Sequence, residues 1–321
     1  MKVLVIGGAG YIGSHVVKAL RSAGYAVVVF DNLSSGLREN LRADASFIHG
    51  DILIPGAVLS ALYGVDAVIH LAAFKAAGES MLQPEKYAVN NIAGTINILN
   101  AMSDAGVKHL VFSSSAAVYG EPEYLPIDED HPTRPENFYG YTKLEIEQLL
   151  AWYDTLKEIR SSSLRYFNAA GYDPEGDIRG LEQNPANLLP VIMEVAIGKR
   201  STLSVFGDDY ETPDGTGVRD YIHVTDLADA HVRALKYTVE NDLSLTVNLG
   251  SEHGLSVMDV LQAARSISGR EIPATISDRR PGDPARLVAS AKRARVALGW
   301  VPRYSDLNTL VQTSWEAYQN G

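Results

Sequence analysis

Cysteine is absent from this 321-residue sequence. Disulfides and thiol nucleophiles are therefore excluded, a metal site would need histidines and carboxylates, and no metal is expected. Positive charge is the second shortage: 28 Lys and Arg face 39 Asp and Glu, a formal net charge of −11. A nucleic-acid partner needs a basic footprint, so that class is excluded. A phosphorylated ligand is not, because a few local arginines can hold it. Long apolar runs are missing too, and none approaches the ~20 residues of a membrane span. An apolar run starting at residue 2 leaves no room for a signal peptide, which makes the cytoplasm the expected location. There is no internal repeat and no low-complexity segment. What remains is the composition of an ordinary globular protein, 46% hydrophobic and 21% charged, with one large domain or two smaller ones.

Residues 2–6, Lys-Val-Leu-Val-Ile, read as a fully buried parallel strand. Gly7-Gly8-Ala9-Gly10-Tyr11-Ile12-Gly13 follows, and then Ile12, Val16, Ala19 and Leu20 recur at helical spacing. The glycines thus lie where a strand turns into a helix, read either as G-x-G-x-x-G from Gly8 or as G-x-x-G-x-x-G from Gly7. Such a turn lets the backbone approach a pyrophosphate, which the free N–H groups at the helix start, from Tyr11 and Ile12 onward, would bind. A second strand, 26–30, ends at Asp31, 18 residues after Gly13, where a carboxylate can bond the adenosine ribose hydroxyls. No Arg or Lys stands at Asn32 or Leu33 to meet a 2′-phosphate, so NAD rather than NADP is expected.

Apolar runs alternate with amphipathic stretches over the first ~170 residues, the pattern of βαβ units. Strands are expected at 3–6, 26–30, 46–49, 67–71, 109–114 and 163–167, with another at 246–250. The run Ala67–Ala73 leads to a small-residue turn at Leu71, Ala72 and Ala73, where the backbone can approach a cofactor. After residue 170 the pattern loosens, and the stretches 172–187 and 207–218 read as loops around a second site. The fold class is α/β: a doubly wound parallel-sheet Rossmann domain with a smaller mixed α/β substrate-binding domain. The first is drawn as 1–169 with a returning segment at about 221–250, the second as 170–220 and 251–321.

The strand at 109–114 runs into Ser113-Ser114-Ser115, at the carboxyl end where open α/β sheets bind ligands. Further on, a helix begins near Tyr139, with Ile146, Leu149, Leu150 and Tyr153 on one face. Tyr139 and Lys143 are four apart and share a helix face. A free phenol titrates near ~10. The neighbouring ammonium and a positive nicotinamide ring are expected to depress it, so that Tyr139 acts as base on an alcohol or sugar hydroxyl. Ser115 would bond the same hydroxyl. A second Tyr-x-x-x-Lys, Tyr153 with Lys157, lies ~21 Å further along and reads as a core tyrosine with a surface lysine.

These residues resemble the extended short-chain dehydrogenase/reductase family, and within it the nucleotide-sugar epimerases, over nearly the whole chain. The matching runs are Gly-Gly-Ala-Gly-Tyr-Ile-Gly-Ser-His at 7–15, Asp31-Asn32-Leu33, 75–80, Ser-Ser-Ser-Ala-Ala-Val-Tyr-Gly at 113–120, Arg165-Tyr-Phe-Asn168 and Gly217-Val-Arg-Asp-Tyr-Ile-His-Val224. The resemblance implies an NAD enzyme that interconverts UDP-galactose and UDP-glucose through a 4-keto sugar. It implies that Tyr139, Lys143 and Ser115 are catalytic, and that Asn32, Asp51, Ile52, Lys75, Asn90, Ser113 and Phe167 join the cofactor site. It further implies that Lys75, Asn168, Asn187, Leu188, Phe206, Arg219, Tyr221, Arg280 and Asp283 hold the UDP-sugar, with Leu287 gating sugar size. Ala116 and Ala117 stand where related 4,6-dehydratases typically carry an Asp-Glu pair. A homodimer packed through helices near 92–105 and 140–157 is implied as well. The alternatives are an epimerase or dehydrogenase for N-acetylhexosamine, pentose or uronate nucleotides, and a non-catalytic NAD sensor. Sensors of that kind usually lose the Tyr or the Lys, and both are present here.

Overall fold

Val3 and Val5 point to one face of the first strand, Leu4 and Ile6 to the other, and all four are fully buried. Only a strand covered by helices on both faces permits that. The computed structural model describes residues 1–183, 185–280 and 283–320. Its strands are β1 (Lys2–Ile6), β2 (Ala26–Asp31), β3 (Ser46–His49), β4 (Ala67–His70), β5 (His109–Ser113), β6 (Arg160–Tyr166), β7 (Asn168–Ala170), β8 (Leu203–Phe206), β9 (Val218–His223), β10 (Leu245–Leu249), β11 (Gly254–Ser256), β12 (Ala274–Ser277) and β13 (Arg286–Leu287). Seven of them form one parallel sheet in the order β10-β6-β5-β4-β1-β2-β3. This is the doubly wound arrangement expected from the sequence.

One face of this sheet packs on helices Tyr11–Ser22, Val224–Asn241 and Lys292–Leu298. The other packs on Pro55–Ala61, Gly94–Ala105 and Phe138–Lys157. A separate core gathers helices Leu188–Ala196, Val257–Ser268 and Leu307–Asn320 around β8. Beside it, β9 pairs with β7, β11 and β13, and β12 pairs with β8.

Two boundaries differ from those drawn on the sequence. Strand β9 serves both halves, with Tyr221 in the second core and Ile222 in the first. Helix Lys292–Leu298 and Trp300 were drawn with the substrate domain, yet they pack into the first core. The physical reason is the Trp300 side chain: it is fully buried there, and its Nε1–H finds a partner in the Asp226 carbonyl at 2.9 Å.

Candidate active site

The glycine turn is dictated by close backbone approaches. Gly7 has φ +84, and a Cβ there would meet Ala72 N at 2.6 Å. At Gly13 a Cβ would stand 2.1 Å from the Gly7 carbonyl oxygen. Gly8 is tight as well, a Cβ there meeting Val29 Cγ1 at 2.9 Å, but only Gly7 of the four has a left-handed φ, which favours the Gly7-Gly10-Gly13 reading. Gly10 differs: a Cβ there would touch only the Gly7 oxygen, at 3.3 Å. It caps helix Tyr11–Ser22 without a side chain, and no acid stands in that helix's first turn. The unpaired N–H groups and positive end of the helix are thus free for phosphate.

A groove beside this turn is lined by Gly7, Gly10, Asp31, Asn32, Ile52, Leu71, Ala72, Ala73 and Asn90. The Asp31 carboxylate accepts from the backbone N–H of Ala9 at 3.0 Å and of Leu33 at 2.8 Å. Those bonds fix it and leave further lone pairs for ribose hydroxyls. Asp51 accepts from the Asn32 amide at 3.0 Å. This donor and acceptor set fits a dinucleotide. Tyr11 can serve this site only through its backbone N–H. Its ring packs in the second core against Tyr172, and its hydroxyl donates to the Gly171 carbonyl at 2.5 Å, so only its main chain faces the turn.

Beyond the groove, the end of β5 meets the start of helix Phe138–Lys157. Asn137 caps that helix by accepting from Gly140 N at 2.8 Å, which aims its first turn at the serines. The Tyr139 N–H donates to Ser80 Oγ at 3.0 Å. The Lys143 Nζ donates to the Ser113 carbonyl at 2.7 Å and stands 5.8 Å from the Tyr139 ring centre. The Ser113 hydroxyl bonds Tyr166 OH. Ser115 caps the short turn Ala116–Val118 by accepting from Ala117 N at 3.1 Å, and its hydroxyl is near enough to the Tyr139 phenol to favour the phenolate. Burial raises the Tyr139 phenol above its ordinary value, and the Ser115 hydroxyl opposes this. The depressed phenol expected from the sequence includes the charge of a bound nicotinamide ring; in the protein alone, loss of water leaves the phenol raised. Lys143 itself is pulled down to about 7 by burial, against a raising contribution from Glu147. Tyr153, in the second Tyr-x-x-x-Lys, donates to Asn100 at 2.7 Å beside the core, as its structural reading required.

A second cavity of about 500 Å³ opens against the second core. Asn168, Asn187, Leu188, Phe206, Arg219, Tyr221, Arg280 and Asp283 all line it, with Tyr210 and Arg200 in addition. The Arg280 guanidinium lies 3.8 Å from the Phe206 ring centre, and Arg219 faces Asp283 at 3.8 Å. Pro281 and Gly282 of the Arg-Arg-Pro-Gly-Asp run lie outside the described residues. Tyr210 escaped the sequence reading because it sits in a loop. The one signal available was its position in the 207–218 stretch, read as a loop around a second site; the structure stacks Arg279 on its ring at 4.1 Å. Segment Tyr166–Asn168 joins the two sites: Tyr166 bonds Ser113, Phe167 packs near Ala116 and Leu287, and Asn168 reaches the cavity.

Residues 173–182 lash the second half to the glycine turn. Lys18 meets Asp173 at 2.8 Å, Glu175 at 2.7 Å and Asp177 at 3.2 Å. Asn40 accepts from Gly180 N and donates to the Ala9 carbonyl, both at 3.1 Å. Lys75, assigned to the ligands from sequence, is paired with Glu182.

A dinucleotide groove, a half-buried tyrosine with a buried lysine one helical turn on, and an arginine-lined cavity define a nucleotide-dependent enzyme of sugar-like substrates. A model of the NAD dependent epimerase/dehydratase family matches residues 3–250, and the chain belongs to that family. At full length it is 47% identical over 324 residues to the UDP-glucose 4-epimerase of Lacticaseibacillus casei, covering 100% of this chain and 97% of that one. The Brucella ovis UDP-glucose 4-epimerase, solved with NAD, superposes with TM-score 0.96 at 44% identity over 99% of this chain and 98% of its own. The Bifidobacterium longum UDP-glucose 4-epimerase, solved with NAD+ and UDP, gives 0.92 at 37% over 100% and 98%.

Proposed function

We propose that this chain interconverts UDP-galactose and UDP-glucose through a 4-keto sugar, with NAD held in the groove at Gly7–Gly13. The observation that supports this is that the helix carrying Tyr139 and Lys143 is tied to both ligand sites: Asn91 bonds Thr142 of that helix and Phe74 of the groove, and Ser113 bonds Tyr166, two residues before Asn168 of the arginine-lined cavity. Bound NAD supplies a hydride acceptor that returns the hydride to C4. Tyr139 takes the proton from the C4 hydroxyl and gives it back, while Ser115 bonds the same oxygen. The buried Lys143 ammonium favours the phenolate, joined by the positive charge that arrives with the cofactor. Arg219 and Arg280 grip the diphosphate. Lys75 exchanges Glu182 for a ligand phosphate or hydroxyl. Firm contacts to the nucleotide and few to the hexose let the keto sugar present its other face.

Incubating the purified protein with UDP-galactose tests the reading. UDP-glucose should form, and Tyr139→Phe should lower turnover by roughly 10²–10⁴-fold. Failure of wild type with NAD added would refute it. Leu287 pairs with Arg219 of β9 and packs with Phe167 against Val118, Tyr119 and Ile127, and a leucine there takes less space than the tyrosine of some epimerases. UDP-N-acetylgalactosamine should therefore also turn over, and a complete lack of product removes that extension. Exposed Trp152 and Leu156 on helix Phe138–Lys157 support a homodimer through that helix, which light scattering checks. A cytoplasmic location belongs to the same reading, and cell fractionation tests it.

A further inference from the structure

A buried ion pair sits beside the proton-transfer set. Glu147 lies one helical turn beyond Lys143 on the same helix face. Its carboxylate accepts from Arg165 Nε at 3.0 Å and Nη2 at 2.5 Å, and both side chains are only 9% exposed. Arg165 is held in turn by Tyr119, whose hydroxyl accepts at 2.9 Å and donates to Asn248 at 2.6 Å. The Ser114 hydroxyl donates to Glu147 at 2.5 Å, while the carbonyl of the preceding Ser113 accepts from Lys143 at 2.7 Å. The end of β5 is therefore pinned at two consecutive residues by two groups of one helix, immediately before Ser115.

Lys143 needs such a partner. Its ammonium is buried, donating to the Ser113 carbonyl with the Phe112 ring centre 4.8 Å away. Tyr139 and Glu147 face it from its own helix. His70 faces it from β4, and burial pulls that imidazole down to about 3, so it brings no charge at neutral pH. From β6 come Arg165, which is engaged with Glu147, and Tyr166, which reaches it through Ser113. Glu147 is thus the negative charge in this surrounding.

We infer that Glu147 is a positioning residue for the proton-transfer set, clamped by Arg165 and Ser114 so that a fixed negative charge stands one helical turn from the Lys143 ammonium and the end of β5 cannot slide. The inference rests on the roles proposed above for Tyr139 and Lys143. In NAD-loaded protein carrying Cε-labelled lysine, an NMR titration reads the Lys143 midpoint directly, with Lys143→Met to assign it. Glu147→Gln should lower that midpoint by about one pH unit. The alkaline limb of kcat should move with it, a loss of about ten-fold on that limb. Glu147→Gln leaves Arg165 buried without its partner and is expected to melt early. The double variant Glu147→Gln with Arg165→Met should recover Tm but not the Lys143 midpoint or the alkaline limb. An unchanged midpoint in Glu147→Gln overturns the inference, as does a double variant that restores both readings. If the single variant does not fold, the double variant alone decides. If wild type fails to convert UDP-galactose, the proposed reaction falls while the NMR midpoint still judges Glu147.

Discussion

Alanine at Gly10 and at Gly13 should break two different things. At Gly13 the new Cβ would stand 2.1 Å from the Gly7 oxygen and 2.8 Å from the Gly8 Cα, both backbone atoms that no rotamer change can move. Ordinary Cβ contacts begin near 3.4 Å, so the turn must open by more than an ångström. Overpacking of that degree costs about 3 kcal/mol, the upper end of the usual range. At ~1.5 °C per kcal/mol for a chain of this size, Tm should fall by roughly 4–5 °C. Gly10 already has φ −75 and ψ 175, which alanine adopts freely, and its Cβ meets one atom at 3.3 Å. Gly10→Ala should therefore melt like wild type. Its methyl would instead occupy the side from which a pyrophosphate approaches. A loss of about 1–3 kcal/mol there weakens NAD roughly 5–150-fold. Calorimetric titration of NAD into nucleotide-free protein, beside thermal melts without nucleotide, separates the effects. Wild-type NAD affinity in Gly10→Ala would refute the placement of the pyrophosphate on this turn.

Lys143→Met should stabilise the protein while abolishing turnover. The lysine titrates at about 7 when folded against 10.5 in its ordinary state, so between these values the unfolded chain binds the extra proton. The ammonium therefore costs stability in full below pH ~7, by at most ~5 kcal/mol, and this cost fades as pH rises to ~10.5. Losing the bond to the Ser113 carbonyl offsets about 1 kcal/mol. Melts should show a gain in Tm for the variant at pH 6 that shrinks by pH 10, and a gain that grows with pH would sink the argument. Arg280→Ala, removing the cation stacked on Phe206, should weaken UDP roughly 10–100-fold and leave NAD affinity unchanged, as parallel titrations would show.

The parallel sheet was legible because its signals are local. Residues 2–6 and 26–31 are apolar, β-branched and bounded by glycine or aspartate, and period and punctuation sufficed. The glycine turn was ambiguous between two registers, and the left-handed φ of Gly7, a residue that the Gly8 register leaves out, distinguishes them. The second half was hard to read for the opposite reason. Its strands β7, β11 and β13 are two or three residues long, and their pairing partners lie far away in sequence. No period develops over such lengths. Tyr11 and Tyr139 show what motif position leaves out. The sequence placed both at the right spot on their helices. Where the Tyr11 ring points, and how far burial lifts the Tyr139 phenol, depend on residues 160 positions away or on enclosure by the whole fold.

Asn40 gives the molecule a mechanical property. One amide side chain bonds both the Gly180 N–H and the carbonyl of Ala9, inside the phosphate turn. A Cβ at Gly180 would strike its oxygen at 2.3 Å. Residue 180 lines neither cavity, yet a displacement there is transmitted through a single side chain to the backbone of the turn. A genetic screen for cofactor-loose mutants would accordingly return lesions at this distant glycine alongside those in the turn itself.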